Sequence, residues 1–326
     1  MEMEREPNTI YTLSLSYGKD SIASIEACKQ LGYPIDRIIH AEIWATDDIS
    51  ADLPPMVEFK KKADAIIKER YGIEVEHVCA TAKDGSKQTY EKIFYRIPKR
   101  RKGSEAIQGT PKGYPKTTGS WCKKLKIDAM PRERERESKS TASPKSKGIG
   151  VPRTSRNKRY GFPTLQAKWC SGMLKQNTLD KAKGFSDRLS VITYLGIAAD
   201  EPPRIERYKD RKEYMLPLVD IGWDEAYCRK WCEENDLLSP IYTTATRGGC
   251  WFCHNQGVNQ LRLLRKNYPK LWELLLKWDN DSPVTFHADG HTVHDFDKRF
   301  ALEDEGCDLS KFRWSMLDEG AQYTLF

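Results

Sequence analysis

No apolar run in these 326 residues approaches the roughly 18 residues that a membrane-crossing helix needs, so no membrane partner is expected. The first residues, Met1-Glu-Met-Glu-Arg, are polar and charged rather than signal-like, and the chain reads as cytoplasmic. Two common nucleotide-binding patterns are missing. There is no Gly-x4-Gly-Lys-Ser/Thr and no Gly-x-Gly-x-x-Gly, which sets aside Walker-type and dinucleotide-binding loops. The nine cysteines are an odd number in a chain without an export signal, which argues against a disulfide framework and for metal or redox roles.

Acidic residues are outnumbered. Lys and Arg total 54 against 47 Asp and Glu, a formal charge of +7. Much of the excess falls between Lys92 and Arg159, in runs such as Pro98-Lys-Arg-Arg-Lys and Arg132-Glu-Arg-Glu-Arg. Such a stretch either holds a phosphate-rich partner by counterion release or forms a solvated insertion.

The remainder alternates between strand and helix patterns. Strands are expected at Ile10–Leu15, Ile38–Ile43, Ile73–Val78, Leu189–Leu195 and Met215–Val219. Helical stripes are expected over Ser21–Leu31, from Pro54, at about Gln176–Lys183, over Asp224–Glu234 and over about Gln256–Trp278 with an interruption at Pro269. This order predicts an α/β fold, a parallel five-stranded sheet flanked by helices. We expect a first part of a nucleotide-binding domain at 1–90, a basic loop-rich insertion at 91–165, a second part at 166–245 and a helical, cysteine-containing C-terminal region at 246–326.

The strongest local signal is Ser16-Tyr-Gly18-Lys19-Asp20-Ser21, directly after a strand and opening a helix. Gly18 lets the backbone turn and approach an anion closely. The N–H groups at a helix start bind phosphate. Ser16 and Ser21 supply hydroxyls and Lys19 a charge, while Asp20 either starts the helix or positions Mg²⁺. Downstream, Asp47 and Asp48 follow the second strand, where such sheets bind ligands; a ribose or metal contact and a helix-capping loop are equal readings. Arg204 follows another strand as a candidate anion contact oriented by Asp200 or Glu201; the alternative is a surface salt bridge.

Ser-x-Gly-Lys-Asp-Ser resembles the PP-loop of ATP pyrophosphatases and of adenylyl-sulfate and phosphoadenylyl-sulfate (PAPS) reductases. The segment Gly196-x3-Asp200-Glu201-x2-Arg204 is similar to one in the reductase-like group, as are Pro217–Glu225 and Ser239-Pro-Ile-Tyr242 before Arg247-Gly-Gly-Cys250. The resemblance implies an adenine-nucleotide α-hydrolase-like fold that binds ATP with Mg²⁺. It implies phosphate-cradling roles for Ser16, Gly18, Lys19, Asp20 and Ser21, and a place for Gly196 and Arg204 at the nucleotide, beside the Asp47 that its position after the second strand suggests.

Cys250-Trp-Phe-Cys253 spaces two thiolates for one metal ion or cluster. Cys122 and Cys170, each in a Trp-Cys-x2/3-Leu-Lys context, are the candidates to complete four ligands. The resembling family binds a [4Fe–4S] cluster through an adjacent cysteine pair and a distant Cys-x-x-Cys, and this chain lacks the adjacent pair. Zn²⁺ with His254 as a ligand, a thiol redox pair, and a c-type haem attachment disfavoured by the missing export signal are the alternatives. Cys228 and Cys232 read as a buried helix face, Cys28 and Cys79 as core, and His287, His291 and His294 as a surface loop.

Three functions compete. The first is a PP-loop enzyme that adenylates an acceptor for sulfur transfer, in tRNA thiolation-like or DNA phosphorothioation-like chemistry. Its nucleic acid would bind through the basic 92–159 region and its sulfur would come from a cysteine desulfurase. Lys126 and Lys175 are candidates to steady the α-phosphate. The second is a sulfonucleotide reductase, for which Glu305-Gly-Cys307 is a poor match to the Glu-Cys-Gly-x-His-type nucleophile motif. The third is a non-catalytic nucleotide- or nucleic-acid-binding module of a phage or defence system.

Overall fold

The computed structural model describes residues 3–96, 160–164, 168–184, 189–244, 249–287, 289–307 and 314. Cys122, Lys126, Arg247 and nearly all of the basic 92–159 segment lie outside the described residues.

The chain divides into two compact units. One comprises Met1–Tyr90 with Trp169–Trp251; the other comprises Glu91–Lys168 with Phe252–Phe326. The first holds a parallel sheet of five strands: β1 (Thr9–Ser14), β2 (Arg37–Glu42), β3 (Val75–Cys79), β4 (Ser190–Tyr194) and β5 (Tyr214–Met215). Their order is β3-β2-β1-β4-β5. All four pairings are parallel, with β1 at the centre, Leu13 opposite Ile38 on one side and Tyr194 on the other. Tyr11, Thr12 and Leu13 are all fully buried, as a strand covered on both faces requires. The hydroxyls of Thr12 and Thr193 satisfy each other across β1 and β4 at 3.2 Å.

Helix α1 (Lys19–Leu31) buries Ile22, Ile25 and Cys28, and its end is set by Gly32 in the left-handed region. Helix α2 (Pro54–Tyr71) begins with two prolines, whose missing N–H groups are no loss in a first turn, and buries Met56, Phe59, Ala63 and Ile67. Short α3 (Tyr90–Phe94) follows β3 and from Glu91 onward belongs to the second unit. A π-helical turn, Ser171–Gln176, leads into α4 (Asn177–Lys183).

The Met215–Val219 strand is a correction. Extended pairing stops at Met215, and Pro217 opens a helix, α6 (Pro217–Ile221), closed by Gly222 at φ 78°. Proline at the first helical position and glycine just past the last outweigh the β-branched Val219 and Ile221. Between β4 and β5 lies α5 (Pro202–Ile205); α7 (Glu225–Glu234) and α8 (Ile241–Thr244) complete the unit. Cys228 and Cys232 are fully buried on α7, while Cys79 is only half-buried on the edge strand β3.

The second unit contains α9 (Val258–Asn267), α10 (Pro269–Asp281) and α11 (Val293–Asp304). Pro269 separates α9 and α10 completely rather than kinking one helix. Trp272, Leu275 and Trp278 are buried on α10. His294 lies in α11, after an N-cap by Thr292 that pairs with Asp295, and not in a loop as expected. Among the described residues no helix is long and apolar enough to cross a membrane.

Candidate functional site

The sheet order fixes where a site forms. From β1 the chain moves outward through β2 to β3, then returns to place β4 on the other side of β1. The loops after β1 and β4 therefore part at the carboxyl ends of adjacent strands, the crevice where open α/β sheets bind ligands. A cavity of about 360 Å³ opens there. Its wall includes Ser16, Gly18, Asp20 and Ser21 from the first loop and helix, and Gly196 and Arg204 from the loop and helix after β4.

The first loop is held by its own hydroxyls. Ser16 and Ser21 share a hydrogen bond at 2.9 Å, and Ser21 Oγ donates to the Gly18 carbonyl at 3.0 Å. The turn itself is not made by Gly18, which is extended (φ −78°, ψ 155°); Tyr17 takes the left-handed conformation at φ 57°. A non-glycine residue there is uncommon and needs an anchor. Tyr17 is fully buried, and its hydroxyl donates to Asp64 and meets His77 Nε2 at 3.0 Å. His77 also bonds Asp64 Oδ2 and Glu42 Oε1, each at 2.9 Å. These two hydrogen bonds raise its pKa to about 9 against the opposing effect of burial.

Gly18 and Gly196 matter for proximity. A Cβ on Gly18 would lie 3.3 Å from the Tyr242 hydroxyl. A Cβ on Gly196 would lie 2.6 Å from the backbone N and Cα of Ser21, an impossible approach. The loop after β4 thus touches the first turn of α1 backbone to backbone. Tyr242 was singled out by resemblance alone, and its hydroxyl accepts the Lys19 N–H at 3.2 Å while the ring lines the cavity.

Lys19 is not on the wall, although its partner Asp20 is. It is 9% exposed, with its ammonium on Asp20 at 2.8 Å and on Glu225 at 3.0 Å, and it does not line the cavity. Burial works against its charge, and the two carboxylates more than offset that, leaving the pKa raised. Burial raises the pKa of Asp20, with Lys19 opposing. Arg204 is held by both oxygens of Glu201 at 2.7 Å. Asp200 instead caps α7 by accepting the Glu225 N–H.

Three titratable wall residues were not found by sequence reasoning: His40, Asp52 and Lys60. Asp47 is exposed, lies in a turn after β2 and is not on the wall; Asp48 is exposed beside it. The carboxylate that reaches the cavity from this connection is Asp52, paired with the Lys60 ammonium. His40 Nε2 lies 2.8 Å from the same ammonium. Lys175, from the π-helical turn, is exposed at the rim.

Of the four proposed metal-ligating cysteines, Cys250 lines the cavity, set there because the neighbouring Trp251 bonds Ser50 and Ala51 through its indole and backbone N–H. Cys170 is half-buried just before the π-helical turn, Cys253 belongs to the second unit, and Cys122 lies outside the described residues. Among the described residues no three His, Cys, Asp or Glu side chains are grouped so that they could hold a metal ion.

No protein-family profile matches the chain, and no solved structure matches it. An uncharacterized protein of Methanocaldococcus jannaschii is 26% identical over 131 residues, covering 38% of this chain. The match spans 27% of that relative's length.

Proposed function

We propose that the cavity binds the phosphates of an adenine nucleotide, and that the chain is a PP-loop enzyme of the PAPS-reductase-like kind that adenylates an acceptor for sulfur transfer. The observation that carries this reading is the backbone-to-backbone seat of Gly196 on the first turn of α1, with Ser16, Ser21 and Arg204 on one wall. This is a crevice at a strand-order reversal, lined by hydroxyls and cations, and the chemistry it suits is phosphate binding. Its size falls within the range of small-molecule sites.

In this reading Ser16, Ser21 and the Gly18 backbone cradle the β- and γ-phosphates. Asp20 and Asp52 are hard oxygen donors suited to the Mg²⁺ that the nucleotide carries. An acceptor oxygen forms a bond to the α-phosphorus, the bond from that phosphorus to the β-bridging oxygen breaks, and pyrophosphate leaves with the electron pair. Cations on the wall stabilise the charge on that leaving group. Lys19 holds Asp20 and Glu225 in place rather than touching phosphate. A nucleic-acid acceptor bound by the basic 92–159 segment is the acceptor class that suits its charge.

The second reading is a sulfonucleotide reductase, favoured by the thiol of Cys250 on the same wall. Calorimetric titration with Mg·ATP and with phosphoadenylyl sulfate separates the two. The adenylating enzyme binds Mg·ATP the more tightly of the two. Tighter binding of phosphoadenylyl sulfate contradicts it and favours the reductase, with Cys250 and Cys307 as the thiols to substitute. Binding of neither removes both.

A further inference from the structure

The lysine supplied by the loop motif and the lysine supplied by the cavity wall are different residues. Lys19 does not line the cavity, and its ammonium is taken up by Asp20 on the wall and by Glu225 off it. Lys60, on α2, lines the same cavity as Ser16 and Ser21, with a side chain only 9% exposed. An ammonium has three N–H donors. Two of them are accounted for, one by Asp52 and one by His40 Nε2. The direction of the second bond is settled by the other side of the ring. His40 Nδ1 faces the Leu15 carbonyl at 2.8 Å, and a carbonyl only accepts, so Nδ1 carries the proton and Nε2 receives one from Lys60. Burial and the neighbouring Lys60 charge lower the His40 pKa to about 3, so the ring stays neutral and the ammonium keeps its acceptor.

Such an arrangement is a poor way to stabilise a fold. Desolvating a buried ion pair consumes most of what its attraction returns, and apolar residues of like volume do as well. It is a good way to hold a desolvated cation at a wall, where its remaining side faces the Tyr17 ring at 5.2 Å and an anion must take the place of Asp52. We propose that Lys60 is the cation that contacts phosphate in this cavity, with Asp52 occupying its anion position until the nucleotide arrives. The proposal rests on the reading of the cavity as a nucleotide-phosphate site. Asp52 and phosphate then compete for one ammonium. When Mg²⁺ accompanies the phosphate, the freed carboxylate faces a cation of its own, so the Asp52–Lys60 pair exchanges for two complementary contacts.

The test is calorimetric titration of the full chain with inorganic pyrophosphate in excess chelator, and with Mg·ATP, for the wild type, Lys60→Met and Asp52→Asn. Lys60→Met is expected to weaken pyrophosphate binding by about tenfold or more, the scale of one hydrogen bond to a charged group. Asp52→Asn keeps the ammonium and removes its competitor, so magnesium-free pyrophosphate binds several-fold more tightly, on the order of the same interaction. A purely structural pair would not produce that gain, and this arm remains decisive if Lys60→Met fails to fold. Unchanged or weaker pyrophosphate binding by Asp52→Asn overturns the proposal, as does wild-type affinity in a folded Lys60→Met. Both results leave the nucleotide reading standing, whereas a wild type that binds neither pyrophosphate nor Mg·ATP removes that reading and the proposal together.

Discussion

Tyr17 carries the turn that sequence alone assigns to Gly18, and it does so because its hydroxyl is tied to Asp64 and His77 behind the loop. The charge of His77 therefore bears on the loop. Its pKa is raised to about 9 by hydrogen bonds to Asp64 and then Glu42, above the ordinary 6.5 of the unfolded chain. A raised histidine pKa gives stability that is complete below about pH 6.5 and is lost as pH rises through about 9. Stability, and with it melting temperature, is expected to fall across that window in the wild type, by less than the one-proton ceiling of about 1.4 kcal/mol per pH unit because solvent screens this partly exposed ring. His77→Gln is expected to melt lower at pH 6.5 and to show a flatter profile; an unchanged slope in that variant contradicts the assignment. The hydroxyls of Ser16 and Ser21 were legible in the sequence because they act within six residues of each other. Tyr17 and His40 were not, because their partners lie 20 to 60 positions away and are brought near only by the fold; Lys60 was not, because its pairing with Asp52, eight positions before it, depends on the course of the connection after β2. The ion pair of Lys19 with Glu225, 206 residues on, was likewise not legible in the loop motif.

At the scale of elements, the close approach is that of the loop after β4 to the start of α1. Gly196→Ala would drive a methyl group into the Ser21 backbone, which has no flexible side-chain end to yield. Overpacking of this sort costs about 1–3 kcal/mol, and here it also displaces the helix turn that lines the cavity. We expect a lower melting temperature together with weaker Mg·ATP binding. Gly172→Ala, whose new methyl meets open space, serves as the control for a tolerated glycine change. Equal behaviour of the two variants would contradict the role given to Gly196. Four of the five strands were legible from β-branched, apolar runs between turn residues. β5 was overextended because Leu218, Val219 and Ile221 look like a strand until Pro217 and Gly222 are read as helix ends. The α9–α10 break was legible in Pro269. The switch from β2 to Asp52, rather than Asp47, was not legible, since the course of that connection depends on Trp44 and Ser50 pairing across it.

For the molecule as a whole, the account makes one claim about place: nucleotide phosphate sits at the strand-order reversal of the first unit, between the loop after β1, the loop after β4 and the start of α2. A second cavity, of about 560 Å³, lies on the open edge at β3, between Val78–Thr81 and residues of the π-helical turn and α4. It shares none of the first cavity's lining residues. The measurement that tests the central claim most directly is amide hydrogen exchange of the full chain with and without saturating Mg·ATP. The account predicts slowed exchange in three separate stretches at once: 14–22, 50–60 and 196–204. Slowed exchange at 78–81 and 173–182 instead, with those three stretches unchanged, would place the nucleotide at the edge cavity and contradict the account.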